Sequence, residues 1–309
     1  MNLFGNIKYS YPILYEIEFQ LKQLKKKIFY HTQNDKEYLK NIFRKKQGYD
    51  FDIDNPKTLN EVIQWLKINE REDFHTICAD KLRAREYLSK YFSEEFFIPI
   101  LFYTDDYRKI TFENLPDEPF VIKTNHDAGH FIIVRDKNSI DWNKKKLDFK
   151  YWMRQNYYYN DREWQYKNIK PFVIAEKLLE CKNGKIPNDY KVHCINGKVE
   201  FIYVASEREG KNKRNIYDRN WNPLLFTWAA KGKDTSNLRG EEVSPPQTLS
   251  QMIDFAEKVA KDFPRYVRVD FYDVDGRLYF GEITQHHGGG FDQIRPFEWD
   301  EKFGSMIIL

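Results

Sequence analysis

The sequence lacks the cysteine pattern of a disulfide-bonded or zinc-binding protein. Its three cysteines, Cys78, Cys181 and Cys194, are odd in number and widely separated in a chain of 309 residues. A disulfide framework needs pairs of cysteines, and a structural zinc site needs closely spaced ligands. We therefore expect three thiols with structural roles in a reducing compartment.

Long apolar runs are also missing. No stretch approaches the roughly 18 consecutive apolar residues that cross a bilayer, and the first residues lack the basic and then apolar order of a secretion signal. We therefore expect a cytoplasmic protein. Residues 10–30 are amphipathic and include Lys22, Lys25, Lys26 and Lys27. They have two interpretations: a solvated helix face, or a helix lying on the anionic inner face of the membrane.

An excess of charge of one sign is absent as well. The chain has 50 basic and 47 acidic residues and a net charge of +3, whereas proteins that bind nucleic acid through its phosphates usually carry a clear basic excess. We expect no nucleic-acid partner. The 41% hydrophobic and 31% charged residues indicate a globular protein, and its length favours two or three packed subdomains.

Patterns along the chain predict an α+β protein with a helical N-terminal region. Thr58 and Glu61 have the spacing of a helix capping box, and Asp80 is predicted to cap a second helix. From about residue 117 short apolar runs alternate with turns, which is typical of strands. Residues 147–168, which are aromatic and charged, are predicted to be helical. We predict a largely helical region at 1–105, a first α+β lobe at 106–180 and a second lobe at 181–309.

Two glycine-containing turns predict β-hairpins in the second lobe. Around Asn196-Gly197, a two-residue turn makes one face apolar and leaves Lys191 and His193 on the other, with His193 opposite Glu200. Lys191 would be able to reach a phosphate group.

The second hairpin covers residues 266–284. A three-residue loop ending at a left-handed Gly276 gives this hairpin one apolar face and places Arg268 opposite Glu282, with Asp270 diagonal to it. Two carboxylates on neighbouring strands suit Mg²⁺ carrying nucleotide phosphates. The simpler interpretation is a cross-strand ion pair on an exposed sheet face.

Lys123 ends a predicted buried strand, and the small polar loop after it closes on Gly129. Such a loop offers backbone N–H groups and an ammonium group to phosphate. The alternative is an ordinary hairpin without a ligand, because the loop is not a Walker motif.

Together these segments resemble the ATP-grasp fold, and within it the TupA-like (teichuronopeptide-biosynthesis) branch. The resemblance runs from about Asn55 to the C-terminus. It depends on the order of NPKTLNEVIQWL, ADKLRAREYL, PFVIKTNHDAGH, NDYKVHCINGKVEFI, RVDFY and YFGEIT. It implies two α+β lobes that hold ATP between them, with Mg²⁺, or alternatively Mn²⁺, as the metal.

The resemblance also suggests roles for individual residues. Arg268 and Lys123 are the expected catalytic residues. Asp270 and Glu282 match the metal ligands, and Thr284 stands where the family usually has asparagine, so Gln285 is an alternative third ligand. The expected ATP-binding residues are Lys81, Lys123, Asn125, His126, Gly129, Glu176, Lys177, Leu178, Leu179, Asp189 and Lys191. The expected substrate-binding residues are Arg208, Arg214, His286, His287, Gly288 and Gly289, the last four in a flexible loop over the reacting groups.

The implied activity is an ATP-dependent joining of a carboxylate to an amine through an acyl phosphate. A uronic acid of a surface or capsular polysaccharide precursor and an amino acid are the expected substrates. One alternative is a glycosyltransferase, for which Asp273-Val-Asp275 has the Asp-x-Asp form, although it lies in a tight turn. Another is a non-catalytic binding protein that has kept the fold.

Overall fold

The computed structural model describes residues 8–207, 212–229 and 239–309. They form an α+β protein with a helical N-terminal region, as predicted, followed by two sheet-containing lobes. The helices of the described part are too short or too polar to span a membrane.

The N-terminal region contains helices α1 (Pro12–Thr32), α2 (Asp35–Gln47) and α3 (Leu59–Asn69). Thr58 caps α3 as predicted, since its hydroxyl accepts a hydrogen bond of 3.2 Å from the Glu61 backbone N–H. The Glu61 carboxylate accepts from the N–H of Lys57 at 2.6 Å, one residue before the expected partner. Side-chain acceptors therefore satisfy backbone donors that the first helical turn leaves free.

Helices α4 (Asp73–Ala79) and α5 (Arg83–Leu88) follow. The prediction that Asp80 caps a helix starting beside it is wrong, because Asp80 is the C-terminal boundary residue of α4. Its carboxylate oxygen accepts from the N–H of Leu82 at 2.9 Å and from the side-chain amide of Asn125 at 2.8 Å. Asp80 thus shapes the turn between two helices and ties it to the first lobe.

The first lobe is a four-stranded antiparallel sheet in the order β1-β4-β2-β3. Its strands are β1 (Ile100–Thr104), β2 (Phe120–Thr124), β3 (Phe131–Val134) and β4 (Val173–Lys177). Strand β1 lies just before the predicted lobe boundary at residue 105. The helix predicted within 147–168 is divided into α6 (Trp142–Trp152), α7 (Tyr158–Asp161) and a 3₁₀ turn at Trp164–Tyr166.

The second lobe is a five-stranded antiparallel sheet in the order β10-β9-β5-β6-β7. Helix α8 (Leu249–Ala260) packs on one face of it, and α3 and α9 (Glu298–Met306) pack on the other. A two-stranded sheet of β8 (Thr227–Ala229) and β11 (Gln293–Arg295) lies beside it. The five strands are β5 (Asp189–Ile195), β6 (Lys198–Ser206), β7 (Lys213–Asp218), β9 (Tyr266–Val274) and β10 (Arg277–Thr284).

The β5–β6 hairpin differs from its predicted register. Cys194 lies opposite Val199 as expected, but an irregularity between His193 and Cys194 places His193 opposite Phe201. The imidazole is fully buried, lies 4.2 Å from the Phe201 ring centre, and makes a 2.9 Å hydrogen bond to the Tyr266 hydroxyl. The predicted pair of His193 with Glu200 is therefore wrong, because the irregularity places Phe201 in the position expected for Glu200. The His193 ring is buried because other elements cover this face of the sheet.

The β9–β10 hairpin brings the predicted polar side chains to one face, but its loop and its register differ from the prediction. Its loop has two residues, Asp275 and Gly276, both with positive φ (52° and 88°), so the predicted three-residue loop is wrong. The register shifts by one residue between Phe280 and Ile283, and Arg268 consequently lies opposite Thr284. This β-bulge restores the separation of apolar and polar side chains onto opposite faces, which the two-residue turn alone would have broken.

Candidate active site

A cleft of about 460 Å³ separates the two lobes, and residues of both sheets line it. The first lobe contributes the loop after β2 and the end of β4. The second contributes β5, β9 and β10. The polar residues that line the cleft are Lys81, Lys123, Thr124, Asp127, His130, Glu176, Lys177, Asp189, Lys191, Tyr203, Asn212, Arg214, Asp270, Tyr272 and Glu282.

The floor of the cleft in the second lobe is a buried ion cluster centred on Arg268. The guanidinium donates to both carboxylate oxygens of Asp270, at 2.6 and 2.7 Å, and to Glu282 at 2.8 Å. Asp270 and Arg268 are on one face of β9 because they are two residues apart, and the bulge at Gly281 brings Glu282 to that face. A Cβ atom at residue 281 would lie 3.1 Å from the carbonyl oxygen of Asp270, so glycine allows the strands to approach there.

Lys191 extends the cluster to strand β5. Its ammonium group is 2.6 Å from Asp189 and 2.9 Å from Asp270. The other carboxylate oxygen of Asp189 is buried and has no hydrogen-bond partner among the described residues. Asp189 therefore keeps an acceptor for a hydroxyl or amine group of a ligand in the cleft.

Electrostatics distinguish the two carboxylates. Burial raises the pKa of Asp270, although Arg268 and Lys191 oppose the rise. Burial acts in the same direction on Glu282, but the charges of Arg268, Lys81 and Lys191 outweigh it and lower the pKa of Glu282 to about 2. The Glu282 side chain is 39% exposed, whereas that of Asp270 is 3% exposed. Glu282 is thus an ionised carboxylate that faces the cleft.

Two cations line the cleft together with this cluster, Lys123 from the first lobe and Lys81 from the turn between α4 and α5. Lys123 pairs with Glu176 at 2.5 Å, and Lys81 donates to the backbone carbonyl of Asp127. Burial lowers the pKa of Lys81, while the nearby charge of Glu282 opposes that effect. Two ammonium groups and the carboxylates of the second lobe therefore share one cleft, which is the arrangement expected around a bound polyanion and its metal.

The loop after β2 divides its side chains between the cleft and the interior. Gly129 lines the cleft with φ of 106°, and a Cβ atom there would meet no atom within 4 Å. Asn125 is buried and binds Asp80 at 2.8 Å and the N–H of Phe172 at 2.6 Å. His126 is buried with its Nε2 atom 3.2 Å from the carbonyl of Gln155. Neither of these two predicted ATP-binding side chains lines the cleft, since both hold the loop in place.

The segment Glu176 to Leu179, for which ATP binding is predicted, forms one wall of the cleft. The Glu176 carboxylate is bound to Lys123, and Arg85 lies 3.7 Å from its second oxygen. The backbone N–H groups of Lys177 and Leu178 donate to the carbonyls of residues 99 and 119. These bonds fix the path of the segment, so its cleft-facing groups have defined positions.

Metal binding at this site would depend on the oxygen atoms of Asp270 and Glu282. Among the described residues, no group of three or more His, Cys, Asp and Glu side chains converges on one point. Two carboxylates with phosphate oxygens and water suit Mg²⁺, which rarely takes a complete set of protein ligands. The Thr284 hydroxyl donates to Glu282 at 3.0 Å, whereas the Gln285 amide donates to the carbonyl of His75 at 2.8 Å. Of these two, only Thr284 is beside the carboxylates.

Comparison with known families matches residues 61–308 to the family described as TupA-like ATPgrasp. The match covers most of the chain. The chain belongs to the TupA-like ATP-grasp family.

Solved structures of other ATP-grasp proteins are more distant. D-alanine–D-alanine ligase from Bacillus anthracis is 18% identical, with 68% of this chain and 56% of that chain covered and a TM-score of 0.38. The enzyme of the same name from Helicobacter pylori is 15% identical, with 81% and 69% covered and a TM-score of 0.42. ATP-grasp ligase PsnB, complexed with a minimal precursor, Mg and ADP, is 12% identical, with 74% and 58% covered and a TM-score of 0.38.

The chain thus spans little more than half the length of the Bacillus enzyme. No curated protein matches the sequence. The family assignment therefore depends on the family match and not on these remote structures.

The predicted substrate-binding residues separate into two groups. Arg214 and His287 are in or beside the cleft, whereas His286, Gly288 and Gly289 are away from it. Arg214 lines the cleft and donates to the carbonyl of Trp228 at 3.1 Å. His287 contacts Arg268, with 3.2 Å between its Nδ1 atom and the guanidinium, and stacks on Trp228 at 4.1 Å. Arg208 lies outside the described residues.

The glycine-rich turn is placed away from the cleft. Gly289 is buried and its carbonyl accepts from Lys67 at 2.6 Å, while Gly288 is exposed. His286 is buried with its Nδ1 atom 3.8 Å from Glu163. The turn is therefore packed against helix α3, which differs from the expected flexible loop over the reacting groups. The cause is a set of hydrogen bonds from a helix more than 200 residues earlier in the chain.

Several polar residues in or behind the cleft were missed from the sequence, and two of them have defined contacts in the site. Arg85 lies beside Glu176, and Asp127 lines the cleft while accepting from the Thr124 hydroxyl at 2.6 Å. Arg85 is four residues after Lys81, a spacing that places two residues on one face of a helix. Because α5 begins only at Arg83, Lys81 is outside this helix, and the spacing was not a reliable guide to Arg85. Asp127 lies within the loop that the sequence had singled out.

Proposed function

We propose that this ATP-grasp protein is an ATP-dependent carboxylate–amine ligase that works through an acyl phosphate. One observation carries the proposal: Asp270 and Glu282, which Arg268 joins across adjacent strands, line a cleft that Lys81 and Lys123 line as well. This arrangement combines carboxylate ligands for a cation with positive charge for a triphosphate.

The proposed reaction has two steps. A carboxylate oxygen of the acceptor attacks the γ-phosphorus of ATP, the bond to the β-phosphate oxygen breaks, and ADP leaves. The amine nitrogen then attacks the acyl carbon, the bond to phosphate breaks, and an amide, phosphate and a proton are formed. ATP is needed because an ordinary carboxylate is a poor electrophile towards amines.

The residues of the cleft have distinct roles in this proposal. Lys81 and Lys123 bind the phosphate oxygens, and Arg268 stabilises the negative charge on the phosphoryl group during transfer. Asp270 and Glu282, with Thr284 beside them, would hold Mg²⁺, which neutralises phosphate charge when bound. The low pKa of Glu282 keeps this ligand ionised at neutral pH. Because Arg268 already contacts both carboxylates, its orientation is set before ATP binds.

The substrates are proposed to be a uronic acid of a surface polysaccharide precursor and an amino acid or related amine, in the cytoplasm. The resemblance to the teichuronopeptide branch supports this choice. Arg214 lines the cleft beside the Tyr203 ring, and a guanidinium there suits the carboxylate of a sugar acid.

The glycosyltransferase alternative gains no support from its proposed metal motif. One oxygen of Asp273 accepts from the backbone and hydroxyl of Thr248, at 3.0 and 2.8 Å, and the other from the N–H of Gly276 at 2.8 Å. Asp275 accepts from the N–H of Lys182 at 2.8 Å. Both carboxylates stabilise turns, and they are not among the residues that line the cleft.

The test is an incubation of the full chain with Mg-ATP and pairwise combinations of uronic acids and amino acids. We expect phosphate release that requires both substrates, together with a product lighter by one water than their sum by mass spectrometry. Hydroxylamine in place of the amine should trap the acyl phosphate as a hydroxamate. Turnover of UDP-sugars without ATP, or no ATP-dependent product with any pair, would contradict the proposal.

A further inference from the structure

Helix α1 presents an apolar stripe to the outside of the protein. Leu14, Ile17, Leu21, Leu24 and Ile28 are each between 52% and 61% exposed. Their spacing alternates between three and four residues, which places all five on one side of the helix. This set is called the α1 stripe below.

The opposite side of α1 is already bound to the body of the protein. Phe19 is buried, with its ring centre 5.0 Å from that of Tyr151. Glu16 forms ion pairs with Lys150 at 2.9 Å and Arg154 at 2.7 Å. The helix is therefore fixed with its stripe directed outward, and turning the stripe inward would break these contacts.

The stripe has the period of a coiled coil. Apolar residues that alternate at three and four positions repeat every 3.5 residues on average, and such a seam packs against a second helix with the same repeat. A solvated helix face would instead carry polar residues at these positions.

The charges beside the stripe indicate which second helix fits. Glu18 lies in the first half of α1, whereas Lys25, Lys26 and Lys27 lie in the second half. The two ends of the helix therefore carry opposite charge. An antiparallel copy of the same helix would place each acidic end beside a basic end, whereas a parallel copy would align like charges.

We propose that two copies of this chain pair through antiparallel α1 helices. When the two α1 stripes are packed against each other, Leu21 faces Leu24 of the other copy and Ile17 faces Ile28 of the other copy. The same register places Glu18 beside Lys25 of the other copy on each side of the two-fold axis. The interface is thus self-complementary, as a two-fold symmetric dimer requires.

An anionic membrane is the competing occupant, and the charge distribution favours the second copy. Lipid headgroups would attract the basic half of α1 and repel Glu18. Of the lysines, Lys22 is paired with Glu18 at 2.5 Å and Lys26 binds Asn160 at 2.8 Å. A partner copy uses both halves of the helix, whereas the membrane would use one.

The first test is the molar mass of the full chain by sedimentation and light scattering over a range of concentrations. We expect a species with twice the 37.5 kDa mass of the chain that dissociates on dilution. Leu21→Asp should leave the monomer only, because it places a charge at the centre of the interface. Leu225→Asp, at an equally accessible leucine (68% exposed) outside α1, is the matched control and should still dimerise.

The second test examines whether the two α1 helices are antiparallel and whether Glu18 pairs with Lys25 of the other copy. Glu18→Lys should weaken the dimer at least tenfold, and adding Lys25→Glu in the same chain should restore it. A mixture of Ile17→Cys and Ile28→Cys chains should form a cross-linked dimer. Each alone should give no more than the parent chain, because identical positions lie about 16 Å apart in an antiparallel pair.

Two results would overturn the proposal. One is a wild-type chain that remains monomeric at every concentration, with or without binding to phosphatidylserine vesicles through α1. The other is a dimer that Leu21→Asp and Glu18→Lys leave unchanged. Circular dichroism of each variant checks that loss of the dimer is not loss of folding.

Discussion

Two groups of buried charges in this protein are built differently. The cleft group, Arg268, Asp270 and Glu282, is held by direct ion pairs of 2.6 to 2.8 Å and opens to the cleft. The second group, Lys67 and Glu163, lies behind the glycine-rich turn. There burial raises the pKa of Glu163 to about 7 and lowers the pKa of Lys67 to about 8.

The difference teaches how a carboxylate in a cluster of charged side chains stays ionised. Glu282 keeps a pKa of about 2 because three cations surround it, whereas the cations near Glu163 do not compensate for its loss of solvent. Lys67 is satisfied mainly by neutral groups, the carbonyl of Gly289 at 2.6 Å and the side-chain oxygen of Gln64 at 3.1 Å. The first group is suited to binding charge, and the second anchors a turn.

The largest effect is expected from a substitution in the cleft group. Glu282→Gln should reduce ATP turnover by about 10² to 10³-fold, because a ligand for the metal and a charge partner of Arg268 are removed. ADP formation measures the effect, and thermal unfolding should show a fold close to that of the wild type. Glu301→Gln, at an exposed position on α9, is the matched control. Undiminished turnover would remove Glu282 from the site.

The next largest effect is expected from a substitution in the glycine-rich turn, which the second group anchors. Gly290 has φ of 65°, and a Cβ atom there would lie 2.3 Å from the side-chain nitrogen of Gln64. Gly290→Ala should therefore lower the free energy of unfolding by about 3 kcal/mol through strain and steric overlap. Urea unfolding measures it. Gly184→Ala has a similar φ of 75° but open space around it, so it should cost clearly less. Equal losses would mean that the packing against α3 contributes nothing.

A smaller effect is expected from Lys67 itself. Lys67→Met keeps roughly the length of the side chain but removes the charged and shorter of the two hydrogen bonds to the carbonyl of Gly289, and the Gln64 amide at 3.1 Å remains. This loss should lower the free energy of unfolding by about 2 kcal/mol. Urea unfolding near neutral pH measures the change. Lys302→Met on exposed α9 should change stability by less than about 0.5 kcal/mol. A stability equal to that of the wild type would show that the turn does not need this anchor.

The smallest effect at any one pH step is a change in the pH dependence of stability. The pKa of Glu163 is raised from 4.5 to about 7, so between these values the folded state holds a proton that the unfolded state has lost. Glu163 thus stabilises the fold fully below pH 4.5, and this contribution is lost as the pH rises towards 7, by at most about 1.4 kcal/mol per pH unit. Glu163→Gln should make stability flatter across this range.

Urea unfolding at several pH values checks this expectation, and Glu301→Gln serves as its control as well. If the slope against pH is the same in Glu163→Gln and wild type, Glu163 does not titrate in that range. Glu282 should contribute no slope there, because its pKa is about 2.

Much of the local structure and the polar face of the site was predictable from the sequence. The Thr58–Glu61 cap and the strands around Lys123 depend on neighbouring residues, and the structure has both. Arg268 and Asp270 share a face because strand residues two apart always do. The family landmarks added the expectation that Lys81 and Lys123 contact the phosphates of ATP held between two lobes.

Several features depended on contacts that local patterns do not encode. The position of the bulge at Gly281, the burial of His193 and the division of the helix within 147–168 follow from the packing of separate elements. Asn125 and His126 have the residue types of a phosphate loop, yet their side chains are used to hold that loop.

By itself, then, the sequence determined the short-range order: which residues start helices, which alternate along strands and which side chains share a face. Tertiary structure alone decided which of those faces meet. Gln64 reaches Gly290 across 226 positions of the chain, and Lys191 reaches Asp270 across 79. Residue periodicity carries information only along one element, whereas such contacts depend on how whole elements pack.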